Sequence, residues 1–72
     1  MGEGMKIGAK LHRLRLEKGL SGNELAKRCG VSQSTISDIE KDKRSPTLET
    51  LDKICSTLEV NIIDVLPDEK RL

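Results

Sequence analysis

An all-α domain of five short helices is the fold class this chain predicts, and three observations carry it. The 72 residues include no Phe, Tyr or Trp, so the core must be built from Leu, Ile, Val, Ala, Met and Cys. Such material suits tightly crossed helices better than a sheet, where aromatic and β-branched residues are enriched. Apolar residues recur at helical spacing, and residues able to cap or end a helix stand at the borders of those runs. One domain is expected over residues 7–66, because a chain this small buries only roughly 60% of its unfolded surface and its helices must share one core.

Ile7, Leu11 and Leu14 follow an i, i+4, i+7 order, which predicts a first helix from about Lys6 to Lys18, ending at Gly19. "SGNE" at 21–24 reads as a capping box: the Ser21 hydroxyl can accept from the Glu24 amide while the Glu24 carboxylate reaches back. A second helix follows with Leu25, Ala26 and Cys29 inward, stopping at Gly30, where positive φ costs little. Ser32 then caps a third helix, roughly Gln33 to Lys41, with Ile36 and Ile39 facing the core. After the loop "KDKRSP", Thr47 caps a fourth helix bearing Leu48, Leu51, Ile54, Cys55 and Leu58. Asn61 caps a short fifth one with Ile62, Ile63, Val65 and Leu66, which Pro67 ends. Residues 67–72, with Leu72 their one core-type residue before which only polar side chains follow Pro67, read as a tail or the start of a linker.

Composition removes several functions. Cys29 and Cys55 lack C-x-x-C spacing and stand far along the chain from the single histidine, His12, so neither a disulfide framework nor a zinc site is expected. Both thiols read as small, reduced core residues of a cytoplasmic protein. No apolar run approaches the roughly 20 residues of a membrane span. His12 reads as an exposed helix residue. Catalysis would need a cleft and a nucleophile with a positioned base, and this chain offers no such set, so no enzyme, cofactor or metal is expected. Recognition of RNA or single strands usually stacks bases on aromatic rings, and there are none. The net charge is only +1. Yet residues 1–44 carry ten Lys/Arg against six Asp/Glu, and residues 45–72 carry three against six. A basic front and an acidic rear would orient the domain toward a polyanion.

The spacing within "GNELAKRCGVSQSTISDIEK", residues 22–41, is more specific. A small side chain at Ala26 lets two helices cross closely, Gly30 permits the abrupt turn, and Ile36 packs back under the second helix. These offsets define a helix-turn-helix. With about 100° per residue and Ile36 and Ile39 inward, Ser34, Ser37, Asp38 and Lys41 fall on the outer side, and Gln33 projects from the first turn. Gln can pair with adenine N6 and N7, Ser and Thr can donate or accept, and Asp can accept from cytosine N4. Gln33, Ser34, Ser37 and Asp38 are therefore the candidate base readers.

Through "LRLEKGLS", "ELAKRCGVSQSTISDIEK", "SPTLETLDKIC" and "LEVNIIDVL", residues 7–66 resemble the Cro/phage-repressor family of helix-turn-helix transcription regulators. The resemblance implies a five-helix lambda-repressor-like fold, a third helix in the major groove of duplex DNA, and a homodimer on a two-fold symmetric operator. It also implies base-facing positions for Gln33, Ser34, Ser37 and Asp38, a phosphate contact for Thr35, and backbone contacts at Gly22 and Asn23. Lys43 and Arg44, just after the third helix, are the leading phosphate clamps, followed by Lys41, Arg13 and Lys10. Arg15 and Glu40 look like the family's paired Arg and Glu, which either aims Arg15 at the DNA backbone or ties two helices together; the tie is favoured.

Three positions depart from the family pattern. Gly22 stands where relatives commonly have Gln, Asp42 where they have Gly, and Asp38 where many have a basic or amide residue. A carboxylate near phosphates lowers affinity, so Asp38 points to cytosine readout or rejection of wrong sequences. The rival to a DNA-binding regulator is an antitoxin or repressor-partner module whose domain docks another protein. Ile62, Ile63, Val65 and Leu66 are more apolar than one short helix needs and read either as a dimer or partner surface or as an ordinary core-facing segment. A regulatory partner or a further C-terminal domain is compatible with either reading.

Overall fold

The computed structural model describes residues 7–66. Lys6, at the expected start of the first helix, and the expected tail 67–72 lie outside the described residues. Four α-helices are found there: α1 (Gly8–Glu17), α2 (Gly22–Cys29), α3 (Gln33–Glu40) and α4 (Leu48–Leu58), followed by a 3₁₀ turn at Ile62–Asp64. The fifth helix is therefore corrected to a three-residue 3₁₀ turn. Only a few residues separate Asn61 from Pro67, which cannot donate a helical hydrogen bond and disfavours helical geometry in the residue before it. The Asp64 carboxylate accepts from the Asn61 amide at 3.2 Å and closes this single turn.

Local chemistry sets most boundaries. The capping box opens α2, with the Glu24 amide 3.0 Å from Ser21 Oγ and the Ser21 amide 2.9 Å from Glu24 Oε1. These two bonds hold the Glu24 carboxyl below its ordinary range, the contact with the Ser21 backbone first. Ser32 Oγ accepts from the Thr35 amide at 3.1 Å to start α3, and Thr47 does the same for Thr50 at 3.1 Å to start α4. Gly30 ends α2 at φ 74°.

No side chain of its own neighbourhood caps α1. Its cap comes from across the fold: the Gly8 amide donates to Asp42 Oδ1 at 3.1 Å. Asp42 itself sits at φ 60°, the left-handed region that Asp tolerates better than most residues.

Helix α2 lies between α3 and α4, α1 packs on α3, and the 3₁₀ turn packs on α4. Ile7 and Leu11 of the first segment meet Leu25, Ala26, Cys29, Ile36 and Ile39 from the helix pair, and Leu51, Ile54, Cys55, Leu58 and Val65 close the core. Each fully buried Leu or Ile contributes on the order of 1.5–3 kcal/mol. Leu48, grouped by sequence with the other apolar residues of α4, is 75% exposed instead. It starts the helix outside the stripe formed by Leu51, Ile54, Cys55 and Leu58. Cys29 and Cys55 are free and buried, and burial raises both thiol pKa values, which keeps them protonated core residues.

Candidate nucleic-acid interface

Ile36 and Ile39 anchor α3 to the body at 2% and 1% exposure. Their burial turns the opposite side of the helix outward. Gln33, Ser34 and Lys41 are exposed there, and Ser37 and Asp38 are half-buried. Small hydroxyls, one amide and one carboxylate thus occupy a ridge free of aliphatic side chains.

The residues flanking that ridge are held differently from one another. Asn23, Lys43 and Arg44 are exposed. Arg44 Nη2 stands 3.9 Å from Asp38 Oδ2, which offsets part of the carboxylate's charge on the ridge. Such a pair between accessible groups is worth at most about 1 kcal/mol. The Thr35 hydroxyl is paired with Ser32 Oγ at 2.9 Å, so it already serves the helix start. Lys10 donates to the Leu66 carbonyl at 3.0 Å and ties α1 to the end of the described chain.

Arg15 is the one buried charged residue described. Its Nε donates to Glu40 Oε2 at 2.7 Å, its Nη2 to Glu40 Oε1 at 3.0 Å, and its Nη1 to the Leu20 carbonyl at 2.8 Å. Side-chain exposures of 11% for Arg15 and 10% for Glu40 make this a largely desolvated pair. Burial pushes the Glu40 carboxyl upward, but hydrogen bonds from Arg15 and His12, with their charge, outweigh it and hold the group below the usual glutamate range. The hydrogen bond to Glu40 raises the Arg15 pKa in turn, against desolvation. With its donors turned to Glu40 and Leu20, the guanidinium joins α1 to α3.

Beside the pair opens a hollow of about 560 Å³, lined by Ala9, His12 and Arg15 of α1, Gly22 at the start of α2, and Gln33, Ile36, Ser37, Glu40 and Lys41 of α3. A Cβ on Gly22 would lie 4.0 Å from Gln33 Nε2, so the start of α2 and the first outward residue of α3 adjoin each other. His12 is half-exposed on the opposite wall, with Nδ1 2.9 Å from Glu40 Oε1.

Sequence reasoning gave no role to Gly8, and the fold gives it one. A Cβ there would collide with the Glu40 carbonyl oxygen and lie 2.7 Å from that of Ile39, so only glycine lets α1 cross the end of α3 this closely. Nothing local to "KIGAK" signals the requirement. Asp42 carried a signal, an acidic residue where glycine is usual, but its partner 34 residues away was not readable.

Among the described residues no group of three or more His, Cys, Asp or Glu could hold a metal ion. No helix there is long and apolar enough to cross a membrane.

Comparison with known proteins agrees with the geometry. A family model described as helix-turn-helix matches residues 11–65. The transcriptional regulator SinR of Bacillus subtilis is 38% identical over 65 residues, covering 89% of this chain and 58% of SinR. The chain thus spans little more than half the length of that relative. Among solved structures, the restriction-modification controller protein C.AhdI of Aeromonas hydrophila superposes with a TM-score of 0.80 at 30% identity, covering 83% of this chain and 91% of the other. SinR, the master regulator for biofilm formation, in complex with DNA gives a TM-score of 0.74 at 37% identity, covering 78% and 90%.

Proposed function

The chain belongs to the helix-turn-helix family, and from that premise we propose that it is a sequence-specific double-stranded DNA-binding transcription regulator, a repressor in sense. The observation that carries this reading is the outward ridge of α3, polar throughout, held up by Ile36 and Ile39. A relative solved on DNA supports it. In this reading α3 enters the major groove, where Gln33, Ser34, Ser37 and Asp38 meet base edges. Lys41, Lys43, Arg44 and Asn23 meet phosphates, with Thr35, whose amide and hydroxyl both engage Ser32, beside them at the helix start. Arg15 acts with Glu40 as the tie that fixes α1 against α3, and Ala26, Gly30 and Ile36 set the crossing of α2 and α3.

The chain would act as a homodimer on a two-fold symmetric operator. Selection of bound duplexes from a random pool tests the proposal. The expected result is a two-fold symmetric consensus with half-sites roughly 10 bp apart. Gln33→Ala should relax preference at one position of each half-site. A pool that emerges without any preferred sequence would overturn sequence-specific binding.

A second reading, docking of a protein partner, has its own observation. Val65 is fully buried and Ile62 packs against the core, but Ile63 is 46% exposed. Leu16 and Leu48 are exposed as well, at 57% and 75%. If this reading holds instead of the first, light scattering should find a stable oligomer in a protein that shows no preferred duplex.

A further inference from the structure

We propose that Asp42 is a positioning residue for DNA binding: its backbone closes the end of α3, its side chain caps α1, and together these hold Lys43 and Arg44 in place to meet backbone phosphates. The inference rests on the DNA-binding reading and adds to it a residue that itself touches no DNA.

Helix α3 ends in a left-handed turn. Asp42 sits there at φ 60°; its amide donates to the Ile39 carbonyl at 3.1 Å, and the Lys43 amide donates to the Asp38 carbonyl at 2.8 Å. This pair of bonds is the helix ending that usually has glycine at the left-handed position. Glycine would meet the backbone demand without strain and without charge. A carboxylate between Lys41 and Lys43 instead opposes the phosphates that those cations would meet. What the side chain adds is an acceptor. Asp42 Oδ1 takes the Gly8 amide at 3.1 Å, at the start of α1, which has no side-chain cap from its own segment. A carboxylate is also the group that the partial positive charge of a helix N-terminus favours.

That bond spans 34 positions and lies where the backbone of Gly8 abuts the carbonyls of Ile39 and Glu40. The chain leaving α3 is therefore fastened to a second helix as well as to its own. Lys43 and Arg44 are the next two residues, both exposed, and Arg44 Nη2 leans back to within 3.9 Å of Asp38 Oδ2. Their side chains reach outward from a backbone held by two carbonyls of α3 and, through Asp42, by the first amide of α1. A contact made from a segment already ordered in the free protein loses less conformational freedom on binding.

The test compares Asp42→Asn with Asp42→Gly in the whole chain. Both variants lack the charge and both tolerate the left-handed backbone; only Asn keeps an oxygen that can accept from Gly8. Affinity for a fluorescently labelled duplex of mixed sequence is measured at low salt, well below the thermal midpoint of each variant. Asp42→Asn should bind at least as tightly as wild type, and Asp42→Gly roughly threefold to tenfold more weakly than Asp42→Asn, the factor that ordering one long side chain represents. The difference between the two should vanish when Lys43→Ala and Arg44→Ala are added to each, because the cap acts through those two cations. In the free wild type, NMR order parameters of the Lys43 and Arg44 amides should lie near the rigid value of about 0.85. This measurement needs no variant, so a misfolded Asp42→Gly would not protect the idea. Equal affinities for Asp42→Asn and Asp42→Gly, a difference that survives loss of both cations, or order parameters below about 0.6 overturn the role of Asp42 while leaving DNA binding intact. A cap that serves stability alone would lower the thermal midpoint of Asp42→Gly without separating its affinity from that of Asp42→Asn, and that outcome also refutes the proposal. Wild type that binds no duplex at any salt concentration overturns both.

Discussion

Replacing Arg15 with alanine probes the tie between α1 and α3, and its cost can be worked from the contacts. The substitution leaves the Glu40 carboxylate, 10% exposed, with His12 as its remaining side-chain partner, and strips the Leu20 carbonyl of the Nη1 donor at 2.8 Å. Removing one partner of a buried ion pair costs about 3–5 kcal/mol. The slight solvent access of this pair favours the lower end, about 3 kcal/mol. A domain of this length holds roughly 4–11 kcal/mol in total, so much of its stability is at stake. At about 4–8 °C per kcal/mol for a small domain, the thermal midpoint should fall by about 12–24 °C. Circular dichroism of the helical signal during heating at neutral pH reads this directly. The double variant Arg15→Met, Glu40→Leu should recover most of the loss, because an apolar pair of similar volume avoids an unpaired buried charge. A midpoint for Arg15→Ala within a few degrees of wild type would refute the claim that this pair is desolvated and holds the helices together.

Three further expectations follow from the same geometry. Gly8→Ala should destabilise the domain by about 1–3 kcal/mol, the usual cost of overpacking, and denaturant unfolding would show it; an unchanged midpoint would mean that α1 does not approach the Glu40 carbonyl so closely. The depressed Glu40 pKa makes its ionised form a stabilising one: that contribution is full above the ordinary glutamate range near about pH 4.3 and is lost as pH falls through the lower, folded value. Unfolding free energy should therefore drop below about pH 4, and Glu40→Gln should remove much of that acid dependence. Lys43→Ala should reduce the steepness of log affinity against log salt by about 0.9, one released counterion; an identical slope would exclude Lys43 as a phosphate contact.

The local features of this fold are legible because their causes lie within a few residues. Ser21 with Glu24, Ser32 with Thr35 and Thr47 with Thr50 span three positions each, and the structure makes each bond. Periodicity likewise separates Ile36 and Ile39 from the outward side of α3, since a helix fixes relative direction by itself. The same logic fails where a segment is too short to carry a period. Ile62 to Leu66 has the composition of a helix, yet the Asp64 bond closes it as one 3₁₀ turn.

By itself the sequence determined where α2, α3 and α4 begin, which stripe of each is apolar, and that the chain has the spacing of a helix-turn-helix. Only the tertiary structure decided that Asp42 caps α1, that Gly8 must lack a side chain, that Thr35 and Lys10 are already engaged, and that His12 hydrogen-bonds Glu40 at the edge of a hollow. The physical reason is range. Caps and periodicity are properties of hydrogen bonds and side-chain directions within one turn or two, whereas these contacts arise where α1 crosses α3, and no stretch of neighbouring residues encodes that crossing.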